Sequence, residues 1–295
     1  MICFVILHYI ATDETIKCVD SIINNVIGDK KIIIVDNFSP NNSYVDLKKN
    51  YQNIKSIDVI KTNSNLGFAN GNNFGYQYAI SKYNPEFIVV MNNDMEILQN
   101  NFIDLIYENY KNYNFCIMGP DIYSTKKEYH QNPQVRKLMN YKQLKNSYIK
   151  LKIKNIFNFI IPIKWKIKEI MHKNYDNYDN YKNRKFINDV VINPMLHGSC
   201  YIFSKSFINK HPNSCFYQKT FMYLEAEILY YLALKNKEKM IYCPNLKVFH
   251  HEDVSTDYTF KKQYKKSIFS IKCLLSSTKA FIKLMEEYGD NYEKK

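Results

Sequence analysis

Short, fully apolar runs constrain the fold of this chain more than any other feature of its sequence. The clearest is FIVVM at 87–91, which shows no alternation of apolar and polar residues and is followed at once by Asn92, Asn93 and Asp94. A strand that is apolar on both faces is typical of a parallel sheet covered by helices on both sides. Similar runs predict further strands at 3–9, 31–37, 56–62 and 115–120. We therefore expect an α/β fold with a mostly parallel central sheet.

The segments between these runs have helix-like patterns. Residues 13–25 are predicted to form the first helix, with Asp13 as its N-cap. Residues 68–83 begin glycine-rich and become helical. The other predicted elements are a helix at 100–113, a strand at 197–203, a helix at 224–237, two short strands at 239–244 and 246–253, and a basic helical tail at 258–288.

Length and composition bound the class of protein. The 295 residues are 46% hydrophobic, enough for one large domain or one domain with an appendage. The net charge of +13 favours an anionic partner such as a phosphorylated substrate, a lipid surface or nucleic acid. The seven cysteines are scattered and form no C-x-x-C pair, which predicts reduced thiols and a cytoplasmic protein. We expect no secretory signal and no membrane-spanning segment.

Polar residues follow three of the predicted strands. Tyr9 follows the first strand, Asp36 ends the second and Asp94 ends the fourth. In an open α/β sheet, ligands bind beyond the carboxyl ends of the strands, so these side chains are predicted to face a crevice. The alternative is that each aspartate caps a helix or makes a turn. The intervening glycines at 67, 71 and 75 match neither a phosphate-loop motif nor a dinucleotide fingerprint.

Four segments, in order and spacing, resemble the family 2 glycosyltransferases with a GT-A fold: VILHY, IIIVDN, NLGFANGNNFGYQYA and FIVVMNND. The resemblance is greatest to bacterial enzymes that build capsules, O-antigens and related surface polysaccharides. It resumes at 193–256 in HGSCYIF, FMYLEAEIL and YCPNLKVFHHEDVST. It implies a nucleotide-sugar-binding half at 1–120, an insertion at 121–190, an acceptor-side half at 191–256 and a helical tail at 257–295.

The resemblance also implies roles for individual residues on the donor side. The donor would be a UDP- or dTDP-sugar, with Asp36 on the nucleotide base and Tyr9 beside the base or ribose. The motif N-x-G-x-x-x-G-x-N would line the nucleotide and the donor sugar, and Asn93 would lie on the same side. The motif residues are Asn65, Gly67, Gly71 and Asn73.

The family's D-x-D metal motif is relaxed here to Asn92, Asn93 and Asp94. One carboxylate with diphosphate oxygens can hold Mg²⁺ or Mn²⁺. His250 matches a histidine that completes the metal shell in this fold, with His251 as the alternative and an ordinary strand-end histidine as the simpler reading.

Family 2 enzymes invert the anomeric configuration, and a carboxylate removes the proton of the acceptor hydroxyl. The family's acidic cluster appears here as Glu225, Ala226 and Glu227, so its middle position carries no carboxylate. Glu225 and Glu227 are both candidates for the base, with Glu225 favoured because it is nearer the helix start. The alternatives are two solvated helix charges and a catalytically weak or inactive binding protein. Gly198 and Ser199 would line the acceptor side. A nucleotidyltransferase is disfavoured because HYIATDET follows the first strand in place of a basic glycine-rich loop.

A basic, aromatic segment at 136–185 carries 14 Lys or Arg and three acidic residues and ends in a predicted linker at 174–183. It predicts a peripheral position on an anionic membrane surface, where the acceptor would be a glycan or a lipid-linked glycan. The alternative is a helical hairpin that forms a homo-oligomer contact or an acceptor lid. Nucleic acid is disfavoured because no recognised binding motif accompanies the charge.

Overall fold

A single mixed sheet organises the protein. The computed structural model describes residues 1–163, 186–252 and 262–289; the predicted linker at 174–183 and the start of the predicted tail lie outside them. The strands are β1 Ile2–His8, β2 Lys30–Asp36, β3 Ile57–Lys61, β4 Phe87–Asn92, β5 Met95–Glu96, β6 Ile117–Ser124, β7 Tyr129–His130, β8 Val191–Ile192, β9 Cys200–Ser204 and β10 Met240–His250. The helices are α1 Thr12–Asn25, α2 Ser43–Tyr51, α3 Gly67–Tyr83, α4 Phe102–Tyr113, α5 Tyr141–Ile156, α6 Lys205–Lys210, α7 Glu225–Lys235 and α8 Gln263–Tyr288.

The N-terminal half of the sheet is parallel, as the apolar runs predict. Its strands lie in the order β3-β2-β1-β4, and Val5 of β1 is opposite Ile33 on one side and Val90 on the other. Every residue from Phe87 to Met91 is buried, because helices cover both faces of this part of the sheet. The parallel arrangement brings the carboxyl ends of β1, β2 and β4 to one edge.

The C-terminal half of the sheet departs from the parallel pattern. Strand β9 is inserted antiparallel between β4 and β6, and β10 then runs parallel to β6. The short β5 and β8 both pair antiparallel with β10. The two short strands expected at 239–244 and 246–253 are one strand, β10, whose register shifts between Cys243 and Lys247. The fold is therefore α/β with a mixed sheet.

Two apolar cores lie on opposite faces of the sheet because neighbouring residues of a strand point to opposite sides. Phe4 and Ile6 join the core that includes Phe102 of α4. Val5 joins the core that includes Tyr76 of α3. Thus both faces of β1 are covered by helices.

Several local predictions need correction. Helix α1 begins at Thr12, with Ala11 in the capping position and no side-chain capping bond, so the assignment of Asp13 as N-cap is wrong. Asp13 lies instead in the first turn, where a carboxylate favours the helix dipole. The domain boundary predicted at residue 120 falls inside β6.

The basic insertion contains one long described helix, α5, which starts at a capping box formed by Asn140 and Gln143. The tail helix α8 packs on α5, and a third apolar cluster that includes Leu144, Phe281 and Met285 joins them. All seven cysteines are buried and free, as expected for reduced thiols. Among the described helices, none has the length and apolar character needed to cross a bilayer.

Candidate active site

A buried carboxylate lies at the end of β2. Asp36 is fully buried, and its Oδ1 accepts a hydrogen bond of 3.3 Å from the backbone N–H of Ser39. Its Oδ2 has no hydrogen-bond partner, although Nζ of Lys61 lies 3.7 Å away. A buried carboxylate oxygen without a donor is costly, so this site is suited to a ligand that brings an N–H group.

The sequence prediction missed His8, which lies beside Asp36. Nδ1 of His8 is 2.7 Å from the hydroxyl of Thr15, and that hydroxyl donates to the carbonyl of Ala11 at 3.1 Å. This arrangement places the ring proton on Nδ1. Burial lowers the pKa of His8 to about 4, so the imidazole is neutral at physiological pH. Nε2 therefore presents a lone pair 3.9 Å from Oδ1 of Asp36 and has no hydrogen-bond partner.

Tyr9, the residue predicted for this position, comes directly after β1 and is partly exposed. Its carbonyl accepts the N–H of Ala11 at 2.8 Å in the turn that leads to α1. The contact of its side chain with a base or ribose stays a prediction.

Asn37 organises the loop that follows β3, and sequence analysis gave it no role. Its Nδ2 donates to Oδ1 of Asn65 at 3.2 Å and to the carbonyl of Gly67 at 3.0 Å. Its Oδ1 accepts the N–H of Leu66 at 2.9 Å. Oδ1 of Asn65 in turn accepts the N–H of Gly67 at 2.9 Å. Asn65 and Gly67 are thus fixed next to Asp36 by an amide network, and the only early signal was the adjacency of Asn37 to Asp36.

The predicted glycine-rich loop is largely a helix. Helix α3 starts at Gly67, whose φ of +75° and close approach to Phe221 leave no room for a side chain. A Cβ on Gly71 would lie 2.7 Å from Cδ1 of Leu7, so Gly71 permits the packing of α3 on β1. Helix–sheet packing is thus one reason for glycine at 71, and its place along the donor stays a prediction.

Asn73 holds a distant loop. Its Oδ1 accepts the N–H groups of Cys215 and Phe216 at 3.0 and 2.9 Å, and its Nδ2 donates to the carbonyl of Phe216 at 2.9 Å. Only 3% of Asn73 is exposed. The structure thus gives Asn73 the task of anchoring the 213–221 loop, and a direct contact with the donor stays a prediction.

Asp94 and His250 meet after β4 and at the end of β10. Oδ1 of Asp94 is buried without a hydrogen-bond partner, and Nε2 of His250 lies 3.3 Å from it. The tautomer of His250 follows from its neighbours. Nε2 of Gln131 donates to Glu252 at 2.5 Å, so Oε1 of Gln131 accepts the Nδ1 proton of His250 at 2.7 Å. In the neutral ring, the Nε2 lone pair and Oδ1 of Asp94 then face each other.

Two acceptors that face each other at this distance fit a cation between them. Carboxylate oxygen and imidazole nitrogen are both ligands for Mn²⁺, and Mg²⁺ is held by carboxylates together with phosphate and water. Within the part of the chain that the structure describes, no group of three or more His, Cys, Asp or Glu could hold a metal. The pair therefore fits an ion that takes its remaining ligands from a diphosphate and water.

The other two residues predicted near this ion are engaged elsewhere. Nε2 of His251 lies 3.4 Å from Glu96, and its Nδ1 lies 3.0 Å from the hydroxyl of Thr125. Asn93 is buried and donates from Nδ2 to the hydroxyl of Thr15 at 2.9 Å. Because Thr15 also contacts His8, Asn93 connects the turn that carries Asp94 to the pocket at Asp36. A direct contact of Asn93 with the donor stays a prediction.

Glu225 is the first residue of α7, and its carboxylate accepts hydrogen bonds from the side chain of Thr220 and from backbone N–H groups. Only 7% of it is exposed, and its Oε1 has no hydrogen-bond partner. Burial raises the pKa of Glu225 to about 7. The preceding Tyr223 and Leu224 both have positive φ angles, 72° and 68°, which are uncommon for bulky residues and mark a strained turn.

Glu227 is buried as well, but it has a charged partner. Its Oε1 lies 2.7 Å from a guanidinium nitrogen of Arg136, in the segment that leads to α5. The alternative in which Glu225 and Glu227 are two solvent-exposed helix charges is therefore wrong. One carboxylate is neutralised by an ion pair, and the other retains an oxygen without a partner.

The segment 197–199 lies between the acidic pair and the Asp94–His250 pair. The rings of His197 and His250 are 5.9 Å apart, and the carbonyl of Ser199 accepts the N–H of Asn92 at 2.9 Å. A Cβ added to Gly198 would meet only Cβ of Ala226, at 3.8 Å. Glycine at 198 and the small methyl side chain of Ala226 leave room on this side of the segment.

The sequence profile described as "Glycosyl transferase family 2" matches residues 3–211. This match covers more than half of the 295 residues and spans β1 to the end of α6. The chain belongs to glycosyl transferase family 2. The resemblance in its strand-end motifs predicted this family.

Solved structures share the fold of this member of glycosyl transferase family 2. GalNAc-T7 with UDP, GalNAc and Mn²⁺ has a TM-score of 0.60 at 12% identity, covering 99% of this chain and 49% of that one. S. aureus TarS 1–349 has a TM-score of 0.51 at 8% identity, covering 84% and 60%. The same fragment in complex with UDP has a TM-score of 0.51 at 11% identity. The chain thus spans about 60% or less of these proteins. Among curated proteins, sequence comparison finds no significant match.

Proposed function

We propose that this glycosyltransferase transfers a sugar, with inversion, from a UDP- or dTDP-sugar to a growing glycan. Three buried carboxylate oxygens without hydrogen-bond partners carry the proposal: Oδ2 of Asp36, Oδ1 of Asp94 and Oε1 of Glu225. Each matches a different part of the reaction. An imide N–H of uracil or thymine suits Asp36, a divalent ion suits Asp94, and an acceptor hydroxyl suits Glu225.

Glu225 is the base in this mechanism. In its carboxylate form it takes the proton of the acceptor hydroxyl as that oxygen forms a bond to the anomeric carbon. The bond between the anomeric carbon and the diphosphate oxygen breaks on the opposite face, and the nucleoside diphosphate leaves. A pKa of about 7 suits a base that works at neutral pH, since a carboxylate of ordinary pKa is a weaker proton acceptor. The ion pair with Arg136 gives Glu227 a positioning role beside it.

Asp94 and His250 would hold Mg²⁺ or Mn²⁺ through Oδ1 and Nε2. When bound, the ion would neutralise charge on the leaving diphosphate. Gln131 supports this role because it fixes the tautomer that exposes the Nε2 lone pair of His250.

The proposed acceptor site rests on the space beside Glu225 and on the positive charge of the basic segment. The small residues Gly198 and Ala226 would give the acceptor hydroxyl a route beside Glu225. The basic segment that begins at Arg136 favours an anionic surface, where a lipid-linked glycan of a bacterial surface polysaccharide would be presented. We accordingly propose a peripheral position at the inner face of the membrane.

Titration calorimetry tests the donor site. UDP, dTDP and GDP would each be added to the purified protein with Mn²⁺ and again with EDTA. We expect UDP or dTDP to bind in a metal-dependent manner, and Asp94→Ala to abolish the dependence. Preference for GDP, or no binding by any of the three, would overturn the donor assignment.

A second candidate function is a glycosyltransferase-like binding protein with little or no turnover. Ala226 favours it, because the family's acidic cluster lacks its middle carboxylate here. Hydrolysis or transfer of a bound nucleotide sugar separates the two. Metal-dependent nucleotide binding without any turnover across a panel of sugars and acceptors would favour the binding protein.

A further inference from the structure

Helix α5 has one face packed and one face open. Leu144 and Tyr148 point to α8, where they join the cluster that includes Phe281 and Ile282. Tyr141 donates a hydrogen bond of 2.6 Å to Glu286 of α8. These contacts fix the orientation of α5, so the residues on its opposite side face outward.

The outward side carries large apolar residues. Ile149, Ile153 and Ile156 are spaced by four and three residues, which places them in one row along the last two turns. They are 55%, 51% and 60% exposed. The apolar surface continues beyond the helix at Phe157 and Phe159, which are equally exposed. Exposed isolated apolar residues are ordinary, but a contiguous row of them marks an interaction site.

Lysines flank this row on both sides. Helical geometry places Lys150 and Lys154 on one side of the three isoleucines and Lys152 on the other, and all three lysines are exposed. From residue 141 to 163 the sequence has five lysines and no acidic residue. We call Ile149, Ile153, Ile156 and the three flanking lysines the α5 outer face.

We infer that the α5 outer face docks on an anionic lipid bilayer. An apolar row flanked by lysines matches the two layers of such a surface, because the isoleucines enter the acyl boundary while the ammonium groups meet lipid phosphates. A second copy of this chain is a poor occupant, since a two-fold contact through this face would oppose lysines to lysines. The charge pattern therefore selects the bilayer.

The α5 outer face lies on the segment that contacts the proposed catalytic residues, so docking there would affect sugar transfer. Arg136 lies shortly before α5 and forms the ion pair with Glu227, next to the proposed base. Docking through α5 would therefore hold the acidic pair close to acceptors embedded in the membrane. This use rests on the proposed function, whereas the binding itself is measured without donor or acceptor.

Co-sedimentation tests the inference, with the full chain and vesicles of phosphatidylcholine alone or mixed with phosphatidylglycerol, in low and high salt. We expect binding to the anionic vesicles in low salt and its loss in high salt. Lys150→Gln combined with Lys152→Gln should weaken binding about 25-fold, since each lysine near an anionic surface contributes about fivefold. Ile153→Asp combined with Ile156→Asp should abolish it.

Matched controls lie on α2. Val45→Asp changes a single exposed apolar residue, and Lys49→Gln removes one exposed lysine. Neither variant should weaken vesicle binding by more than the effect expected for a change of one charge. UDP titration of each variant, with circular dichroism, separates vesicle binding from the donor site and from folding. The inference would be overturned if the protein bound neutral and anionic vesicles equally well, or if the α2 variants weakened binding as much as the α5 variants. It would also be overturned if the protein self-associated and the isoleucine substitutions removed that self-association. Loss of nucleotide binding with vesicle binding intact would instead count against the proposed function.

Discussion

Glu225 links the stability of the protein to its activity, and Glu225→Gln tests both. The structure buries this carboxyl and raises its pKa from 4.5 to about 7. In the unfolded chain the same group ionises near its ordinary value. Between these two values the folded protein therefore holds a proton that the unfolded chain releases, so the free energy of unfolding falls as pH rises from about 4.5 to about 7.

The size of this effect follows from the shift. Each pKa unit corresponds to about 1.4 kcal/mol. Compared with a group that cannot ionise, Glu225 should therefore lower the free energy of unfolding by about 3 kcal/mol at pH 8. At pH 5.5 it should lower it by about 1 kcal/mol, because the unfolded chain has lost the proton that the folded group still holds. Glutamine has nearly the same shape and no charge. Glu225→Gln should accordingly raise the free energy of unfolding, and the gain should be larger at pH 8 by about 2 kcal/mol.

Urea unfolding of both proteins at the two pH values measures this difference. Glu227→Gln is the matched control. It removes the charged partner of the half-exposed Arg136 from a carboxylate that is itself buried, so it should destabilise modestly at both pH values. A gain for Glu225→Gln that is the same at pH 5.5 and pH 8 would refute the assignment of a raised pKa to Glu225.

The same variant should be nearly inactive. Loss of a general base typically lowers the rate by 10² to 10⁴-fold. In the parent protein, kcat/KM should fall tenfold per pH unit below about 7, because protonation removes the base. Glu227→Gln should keep an acidic limb, shifted to lower pH because the charge of Glu227 helps to raise the pKa of Glu225, with a smaller loss of rate. Full activity of Glu225→Gln, or an acidic limb near pH 4.5, would exclude Glu225 as the base.

Four further substitutions concern the framework of the site. Asn37→Ala should destabilise the fold by about 2 kcal/mol, since it leaves buried backbone groups unpaired. It should also weaken UDP binding, which calorimetry measures, and an unchanged affinity would contradict the role of Asn37 in shaping the pocket. Gly71→Ala should lower the stability measured by thermal unfolding by about 1 to 3 kcal/mol, because the new Cβ would lie 2.7 Å from Leu7. Gly198→Ala should instead fold normally and raise KM for the acceptor. Ser277→Ala removes a 2.8 Å bond from α8 to the carbonyl of Met222 and should lower kcat more than donor affinity, which parallel kinetics and calorimetry would show.

The first half of the fold could be predicted because each strand is recognisable from its own short run of residues. Runs such as 87–91 are apolar on both faces only in a doubly covered sheet, and the polar residues after them must then lie at one edge. The direction of β9 could not be predicted in this way. A buried five-residue strand has the same pattern whether it runs parallel or antiparallel to its neighbours, and only the path of the whole chain decides it.

Several contacts around the site depend on distant partners that the sequence does not reveal. Asn73 lies in a motif that suggests ligand contact, but its amide binds backbone groups more than 140 residues away. Gln131 lies in a segment assigned to the insertion, yet it sets the tautomer of His250. His8 was passed over for Tyr9 because β1 ends one residue earlier than its apolar pattern indicated. No local signal distinguishes these cases.

The missing carboxylate at Ala226 has a consistent explanation in the surroundings of its two neighbours. Glu227 faces Arg136 and is held as an ion pair, so its charge is already satisfied. Glu225 lies at the strained start of α7, where burial raises its pKa and one oxygen has no partner. The two carboxylates therefore differ in the property that matters for a base, which is the capacity to accept a proton from a neighbouring hydroxyl. Ala226, next to Gly198, leaves space for that hydroxyl. The departure from the acidic cluster is thus compatible with catalysis when Glu225 takes the role of the base.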